Sequence, residues 1–199
     1  DTTVLGLDAQ RAQEEPFIAS MGIYVFNARK MIELLTETFP TANDFGSEVI
    51  PGANRMGMKV QAHLFDGYWE DIGTIKAFYE SNLALCDAAN PSFSFYDKDY
   101  PIYTMTRFLP PSKLVECNVE RSMIGDGCVI RHGTSVTGSM VGLRSRIGSN
   151  SPIEEALIMG ADYYETIEEC ALVAECIPMG IGSNTTLRKC IIDKNARIG

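Results

Sequence analysis

The chain has 199 residues, 45% of them hydrophobic and 22% charged, and carries a formal net charge of -9. That is enough apolar matter to bury a core in one or two domains, and too much for wholesale disorder. Basic residues are no denser than the pairs Arg29–Lys30 and Arg188–Lys189, which disfavours a nucleic-acid surface, because such surfaces need clustered cations to displace counterions from phosphates.

An anionic small molecule remains open, since a few local cations can hold a phosphate on an acidic protein. No apolar run approaches the roughly 18–20 residues that span a bilayer, and no signal or transit peptide is visible, so no membrane partner is expected. The six cysteines (Cys86, Cys117, Cys128, Cys170, Cys176 and Cys190) include no C-x-x-C pair and have no His at zinc-ligand spacing. Buried, reduced thiols are therefore expected rather than a disulfide scaffold. The pattern starts in mid-course at Asp1 and stops within a repeat at Gly199, as in an internal piece of a longer protein.

Residues 1–89 alternate strand-like and helix-like segments. Pro16 to Phe26 is β-branched and aromatic, suited to the inside of a sheet. After Asn27, Met31, Leu34, Leu35 and Phe39 recur at helical spacing until Pro40. Thr41 to Asp44 resembles a capping box that opens a short helix through Val49 and Ile50, with Pro51–Gly52 as its stop. Val60 to Trp69 reads as a second strand. Thr74 opens a helix with Ile75, Phe78, Tyr79, Leu83 and Cys86 on one face. This order predicts an α/β layer.

Residues 90–112 change texture. Pro91, Pro101, Pro110 and Pro111 interleave with Phe93, Phe95, Tyr96, Tyr100, Tyr103 and Phe108, which predicts an extended linker adhering to the domains on either side. From 113 to 199, aliphatic residues recur at steps of six with slips to five: Ile124, Ile130, Val136, Val141, Ile147, Ile153, then Ile181, Leu187, Ile192 and Ile198. Gly, Asp or Glu often follows the aliphatic, and small residues often sit four after it. This hexapeptide texture predicts a parallel β-helix, with one aliphatic per flat side pointing inward. Gly160 to Met179 breaks the period and is expected to be a loop thrown out from the coil. His132, with no neighbouring nucleophile or orienting carboxylate, reads as a corner residue.

Three stretches could carry chemistry. In Tyr68-Trp-Glu-Asp-Ile-Gly-Thr74, two carboxylates end a predicted strand, where ligands bind in open α/β sheets, so Asp71 is placed for a phosphate or its metal. The competing reading makes Asp71 and Thr74 helix caps and Trp69 core. Ser20 lies inside an apolar run, where its hydroxyl needs a partner, either a ligand or the backbone. Asp44, at a helix start, is either a ligand or a cap.

Taken together, Ile18 to Phe26, Ala42 to Pro51, Tyr68 to Thr74, Phe108-Leu-Pro-Pro-Ser112, Gly160 to Thr166 and Cys190 to Gly199 resemble ADP-glucose pyrophosphorylase (glucose-1-phosphate adenylyltransferase) in its plant, algal and cyanobacterial form. The resemblance implies the C-terminal part of a Rossmann-like nucleotidyltransferase domain followed by a truncated left-handed parallel β-helix of hexapeptide repeats. It implies formation of ADP-glucose and pyrophosphate from ATP and α-glucose 1-phosphate with Mg²⁺, in starch or glycogen synthesis. It implies Asp71 as the catalytic, Mg²⁺-engaging carboxylate and Ser20 as a ligand of the sugar phosphate. Tyr24, Asp44 and Trp69 would line the sugar end of the pocket. Lys194 and Arg107 would bind the effectors 3-phosphoglycerate and phosphate; without the resemblance both read as solvated surface charges.

The same resemblance implies other pyrophosphorylase subunits as partners in a heterotetramer, and plastid localisation in a plant or alga, cytoplasm otherwise. The Gly-rich nucleotide loop, a second metal-binding Asp and a Glu–Lys pair of the family would precede Asp1, so residues 1–199 alone are expected to be inactive. Cys190 and Asn184–Thr185 follow the large-subunit pattern. The rival is therefore a non-catalytic regulatory subunit. Enzymes making GDP- or UDP-sugars are disfavoured by Glu70-Asp-Ile72 and Ala161-Asp-Tyr-Tyr164, and a hexapeptide acyltransferase by the α/β half.

Overall fold

The computed structural model describes residues 8–14, 19–87, 94–172 and 177–199. They fall into two units, Asp1–Gly67 and Tyr68–Gly199. The start of the first predicted strand, Cys176, and Pro91 and Phe93 of the predicted linker lie outside the described residues.

The first unit is built from short helices. After α1 (Ala9–Glu14), residues 19–27 lie outside regular structure and lead into α2 (Ala28–Glu33). Asn27 caps α2, its side-chain oxygen accepting the Lys30 N–H at 3.3 Å. The chain continues through a π-helical turn (Leu34–Thr38). A second π-helical turn (Phe45–Val49) runs directly into α3 (Ile50–Arg55). Leu34, Val49 and Ala53 form the buried centre, with Leu35, Phe39, Phe45 and Met58 packed against it.

Two expectations fail here. The cap of the second helical segment is Asp44, whose carboxylate takes the Ser47 N–H at 2.6 Å, rather than Thr41. Pro51–Gly52 does not stop the helix. Pro51 sits in the first turn of α3, where its missing N–H would have no partner anyway. Gly52 makes room for an aromatic ring: a Cβ there would lie 2.4 Å from Phe39 Cζ.

The predicted strands are not paired either. Residues 19–26 and 58–70 lie outside any helix, and neither run has a hydrogen-bonded strand neighbour among the described residues. A strand is defined by its ladder. Without one, side chains that a sheet would cover stand open, with Ile23 75% and Val25 97% exposed.

The second unit opens with α4 (Ile75–Ala84), capped by Thr74, which accepts the Ala77 N–H at 3.1 Å. Phe78, Tyr79 and Leu83 are half-buried and Cys86 is buried, as the helical spacing predicts, but Ile75 faces solvent. Tyr79 donates its hydroxyl to the Glu155 carbonyl, and the Cys86 thiol lies 3.4 Å from the Ser139 carbonyl. The helix is thereby fastened to a coil. Residues 94–108 are exposed throughout, Phe108 at 93% and Tyr103 at 90%. The expected linker, residues 90–112, meets the coil at its end, where Ser112 Oγ accepts the Cys128 N–H at 3.1 Å and donates to the Gly125 carbonyl.

A parallel β-helix follows. Its first coil runs through β1 (Lys113–Leu114), β2 (Asn118–Glu120) and β3 (Met123–Ile124); the second through β4 (Val129–Ile130), β5 (Ser135–Thr137) and β6 (Met140–Val141). The third holds β7 (Arg146–Ile147), β8 (Pro152–Glu154) and β9 (Leu157–Ile158), after which the chain departs through α5 (Ile167–Ala171). The fourth holds β10 (Gly180–Ile181), β11 (Leu187–Arg188) and β12 (Ile191–Ile192), and β13 (Arg197–Ile198) begins a fifth. Strands stack in parallel into three sheets, one per side. Asn118 pairs with Ser135 and Ser135 with Pro152, a step of 17 residues each time. Three hexapeptides would give one residue more, which explains the slips to five.

Ile130, Val136, Val141, Ile147, Ile153, Ile181 and Leu187 fill the interior as the repeat predicts, and Ile158 joins them. The corners need left-handed backbone, and they stack in columns: Glu116, Gly133, Asn150 and Asn184 at one, Arg121, Gly138, Glu155 and Lys189 at the next, all with positive φ. Buried and half-buried hydroxyls bind the amides where the chain turns. Ser122 Oγ accepts the Ser139 N–H at 3.0 Å, Ser139 Oγ the Ala156 N–H at 2.9 Å, and Thr134 Oγ1 the Ser151 N–H at 3.2 Å. Gly142 lets two coils approach, since a Cβ there would lie 2.5 Å from the Met159 carbonyl.

Candidate functional site

In the first unit, three of the candidate residues meet. Ser20 Oγ lies 3.0 Å from the Tyr24 hydroxyl and accepts the Gly22 N–H at 3.2 Å, a local turn made possible by the positive φ of Gly22. The Tyr24 ring stacks on Phe45, 6.1 Å between centroids, and meets Phe26 edge-on. Phe45 directly follows Asp44, and a Cβ on Gly46 would lie 3.5 Å from Asp44 Oδ1 and 3.8 Å from the Tyr24 hydroxyl. Ser20, Tyr24 and Asp44 thus border one glycine-lined patch. Asp44 also caps: Oδ1 accepts from both the amide and the hydroxyl of Ser47. The Ser47 hydroxyl first, then its amide, hold the Asp44 carboxyl below its ordinary value. A carboxylate kept ionised beside two hydroxyls is chemically suited to gripping sugar hydroxyls.

In the second unit, Asp71 and Trp69 lie on an exposed stretch before α4, outside any helix or strand. Asp71 Oδ1 accepts the Gly73 N–H at 3.1 Å, which shapes the turn before α4, whereas the cap of α4 is Thr74 alone. Trp69 is 39% exposed, so it is not core within this chain. Among the described residues no three His, Cys, Asp or Glu side chains are gathered for a metal ion. Mg²⁺ needs only one or two carboxylates when phosphates and waters complete its shell, and Asp71 offers one hard oxygen of that kind.

The two effector candidates have different partners. Arg107 Nη1 donates to the Met105 carbonyl at 3.3 Å, on the exposed stretch. Lys194 Nζ lies 3.0 Å from Asp162 Oδ1, in the segment between β9 and β10. That segment was expected to be thrown out; instead its first half is fastened to the coil. Ala161 N–H donates to the Leu143 carbonyl, Tyr164 donates its hydroxyl to the Gly127 carbonyl at 2.9 Å, and Arg146 lies over the Tyr164 ring. Glu165, its side chain only 4% exposed, pairs with Arg197 and accepts the Met179 N–H at 2.8 Å. Arg197 holds the Glu165 carboxyl below its ordinary value. Asp162, Glu165, Asn195 and Arg197 lie in stretches that carry the resemblance, but the sequence assigned none of them a role. Only the 17-residue coil step brings residues 161–165 beside 195–197.

The fold and its two halves define a class. Residues 10–88 match the family model of nucleotidyl transferases, and residues 107–199 that of the GLGC left-handed parallel β-helix domain. The chain joins a nucleotidyltransferase domain to a left-handed parallel β-helix. A curated relative is the glucose-1-phosphate adenylyltransferase small subunit, chloroplastic/amyloplastic, of Triticum aestivum, 59% identical over 201 residues. The alignment takes in 100% of this chain and 42% of that protein, so the chain spans less than half the length of the relative it matches.

Proposed function

We propose that the chain is part of a glucose-1-phosphate adenylyltransferase, which joins ATP and α-glucose 1-phosphate into ADP-glucose and releases pyrophosphate. The carrying observation is the 59% identity to an enzyme of that name along the whole chain. The gathering of Ser20, Tyr24 and Asp44 adds a polar patch suited to a sugar phosphate.

In this reading the sugar phosphate oxygen attacks the α-phosphorus of ATP in line, and the protein contributes mainly positioning and electrostatics. Ser20 Oγ exchanges its contact with Tyr24 for a sugar phosphate oxygen, and ionised Asp44 accepts from sugar hydroxyls beside the Tyr24 ring. Asp71 would hold Mg²⁺, which supplies neutralising charge to the departing pyrophosphate. The protein would work beside further pyrophosphorylase subunits in a heterotetramer, in the plastid, under 3-phosphoglycerate and phosphate acting at Lys194 and Arg107. A small subunit as relative favours this catalytic reading over a purely regulatory large subunit, despite the large-subunit pattern at Cys190 and Asn184–Thr185.

The test is kinetic and uses the full-length, assembled enzyme. Ser20→Ala should raise KM for glucose 1-phosphate about tenfold, the measure of one hydrogen bond to a charged group. Asp71→Asn should lower kcat by about 10²–10³. Unaltered kinetics in both variants would remove these residues from the site, and an enzyme that makes no ADP-glucose would remove the function.

A further inference from the structure

Lys194 already holds an anion of the protein's own. Asp162 Oδ1 accepts from its ammonium at 3.0 Å, and the other carboxylate oxygen accepts from Asn195 Nδ2 at 2.9 Å. The Asp162 N–H in turn donates to Asn195 Oδ1 at 2.9 Å, so the carboxylate is oriented from two sides. Arg144 faces the same spot and donates to the neighbouring Ala161 carbonyl at 3.3 Å. The Lys194 and Asp162 side chains are 53% and 55% exposed, so a dissolved anion can reach the ammonium.

We propose that Asp162 is a built-in competitor for the anionic effector of Lys194, its carboxylate occupying the place a phosphate oxygen takes when the effector binds. This rests on the reading of Lys194 as an effector residue. A half-exposed pair is screened by solvent and held weakly, so a dianion can displace it. The cost of displacement sets the effector concentration at which the enzyme responds. Displacement also detaches Asp162 from Lys194 while Ala161 keeps its backbone bond to Leu143, so the effect stays local to one corner. Asp162 acts through Lys194 and is a positioning residue.

The experiment uses the full-length, assembled enzyme and inorganic phosphate as the probe, with binding measured directly by equilibrium dialysis of labelled phosphate. Asp162→Asn keeps an amide oxygen for Asn195 but offers Lys194 no charge. Phosphate should then bind about two- to fivefold tighter, with KM for ATP and glucose 1-phosphate unchanged. Asp162→Glu should return the affinity toward the parent value, which a merely structural role would not produce. Asp162→Ser serves in the same way if Asp162→Asn fails to assemble. Lys194→Ala separates the two ideas. Unchanged phosphate binding in Lys194→Ala defeats the effector reading itself. Loss of binding there, combined with equal or weaker binding in Asp162→Asn, overturns the competitor alone.

Discussion

Ser139 is a small residue with a large burden. Fully buried, its hydroxyl accepts the Ala156 N–H at 2.9 Å and donates to the Thr137 carbonyl at 2.9 Å. Ser139→Ala leaves both backbone groups without this partner in a dry corner. It should destabilise the coil by about 1–3 kcal/mol, read as a lowered urea midpoint with an unchanged slope. Glu165 makes a different prediction. Its carboxyl is held below the ordinary 4.5 by Arg197 first and the Met179 N–H second. A carboxyl with a lowered folded value contributes fully above its unfolded value, and the contribution is lost as pH falls through the folded one. Exchange protection of the Met179 amide, corrected for intrinsic rates, should therefore stay flat between about pH 5 and 8 and fall only under acid conditions. Glu165→Gln should abolish that pH dependence.

At the scale of elements, glycine matters by what it leaves out. Gly52→Ala would drive a Cβ to 2.4 Å from Phe39 Cζ, and Gly142→Ala would place one 2.5 Å from the Met159 carbonyl. The first can be relieved by a ring shift at a cost of about 1–3 kcal/mol; the second meets backbone in the next coil and should cost more. Differential thermal melts of the two variants check the order. The same pair shows where sequence reading stops. The Pro51–Gly52 dipeptide looks like a terminator because local chemistry alone is visible, whereas Gly52 answers to a ring thirteen residues earlier in the chain. The aliphatic repeat was legible because each inward residue is set by its own position on a flat side. The fastening of residues 160–165 was not, because Asp162–Lys194 and Glu165–Arg197 unite charges that only the coil brings together.

For the whole molecule, Ile23 and Val25 are the telling residues. Their segment has the apolar content of a strand covered on both faces, and they stand 75% and 97% exposed. In full-length protein their amides should gain strong exchange protection that residues 1–199 alone lack; equal protection in both would show that this run is no strand. Ser20, Tyr24 and Asp44 were visible in the sequence as residue types, but the turn that joins Ser20 to Tyr24 depends on a positive φ at Gly22 that no spacing discloses.

The coil step has one more implication. Ile147 pairs with Ile181, 34 residues on and twice the ordinary interval, so the excursion between β9 and β10 adds one full turn's length and leaves every later side in phase. Gene-level insertions or deletions of 17 codons in this half should therefore be survivable as whole rungs of a ladder. A single-codon indel would rotate each downstream rung and turn its aliphatics toward water.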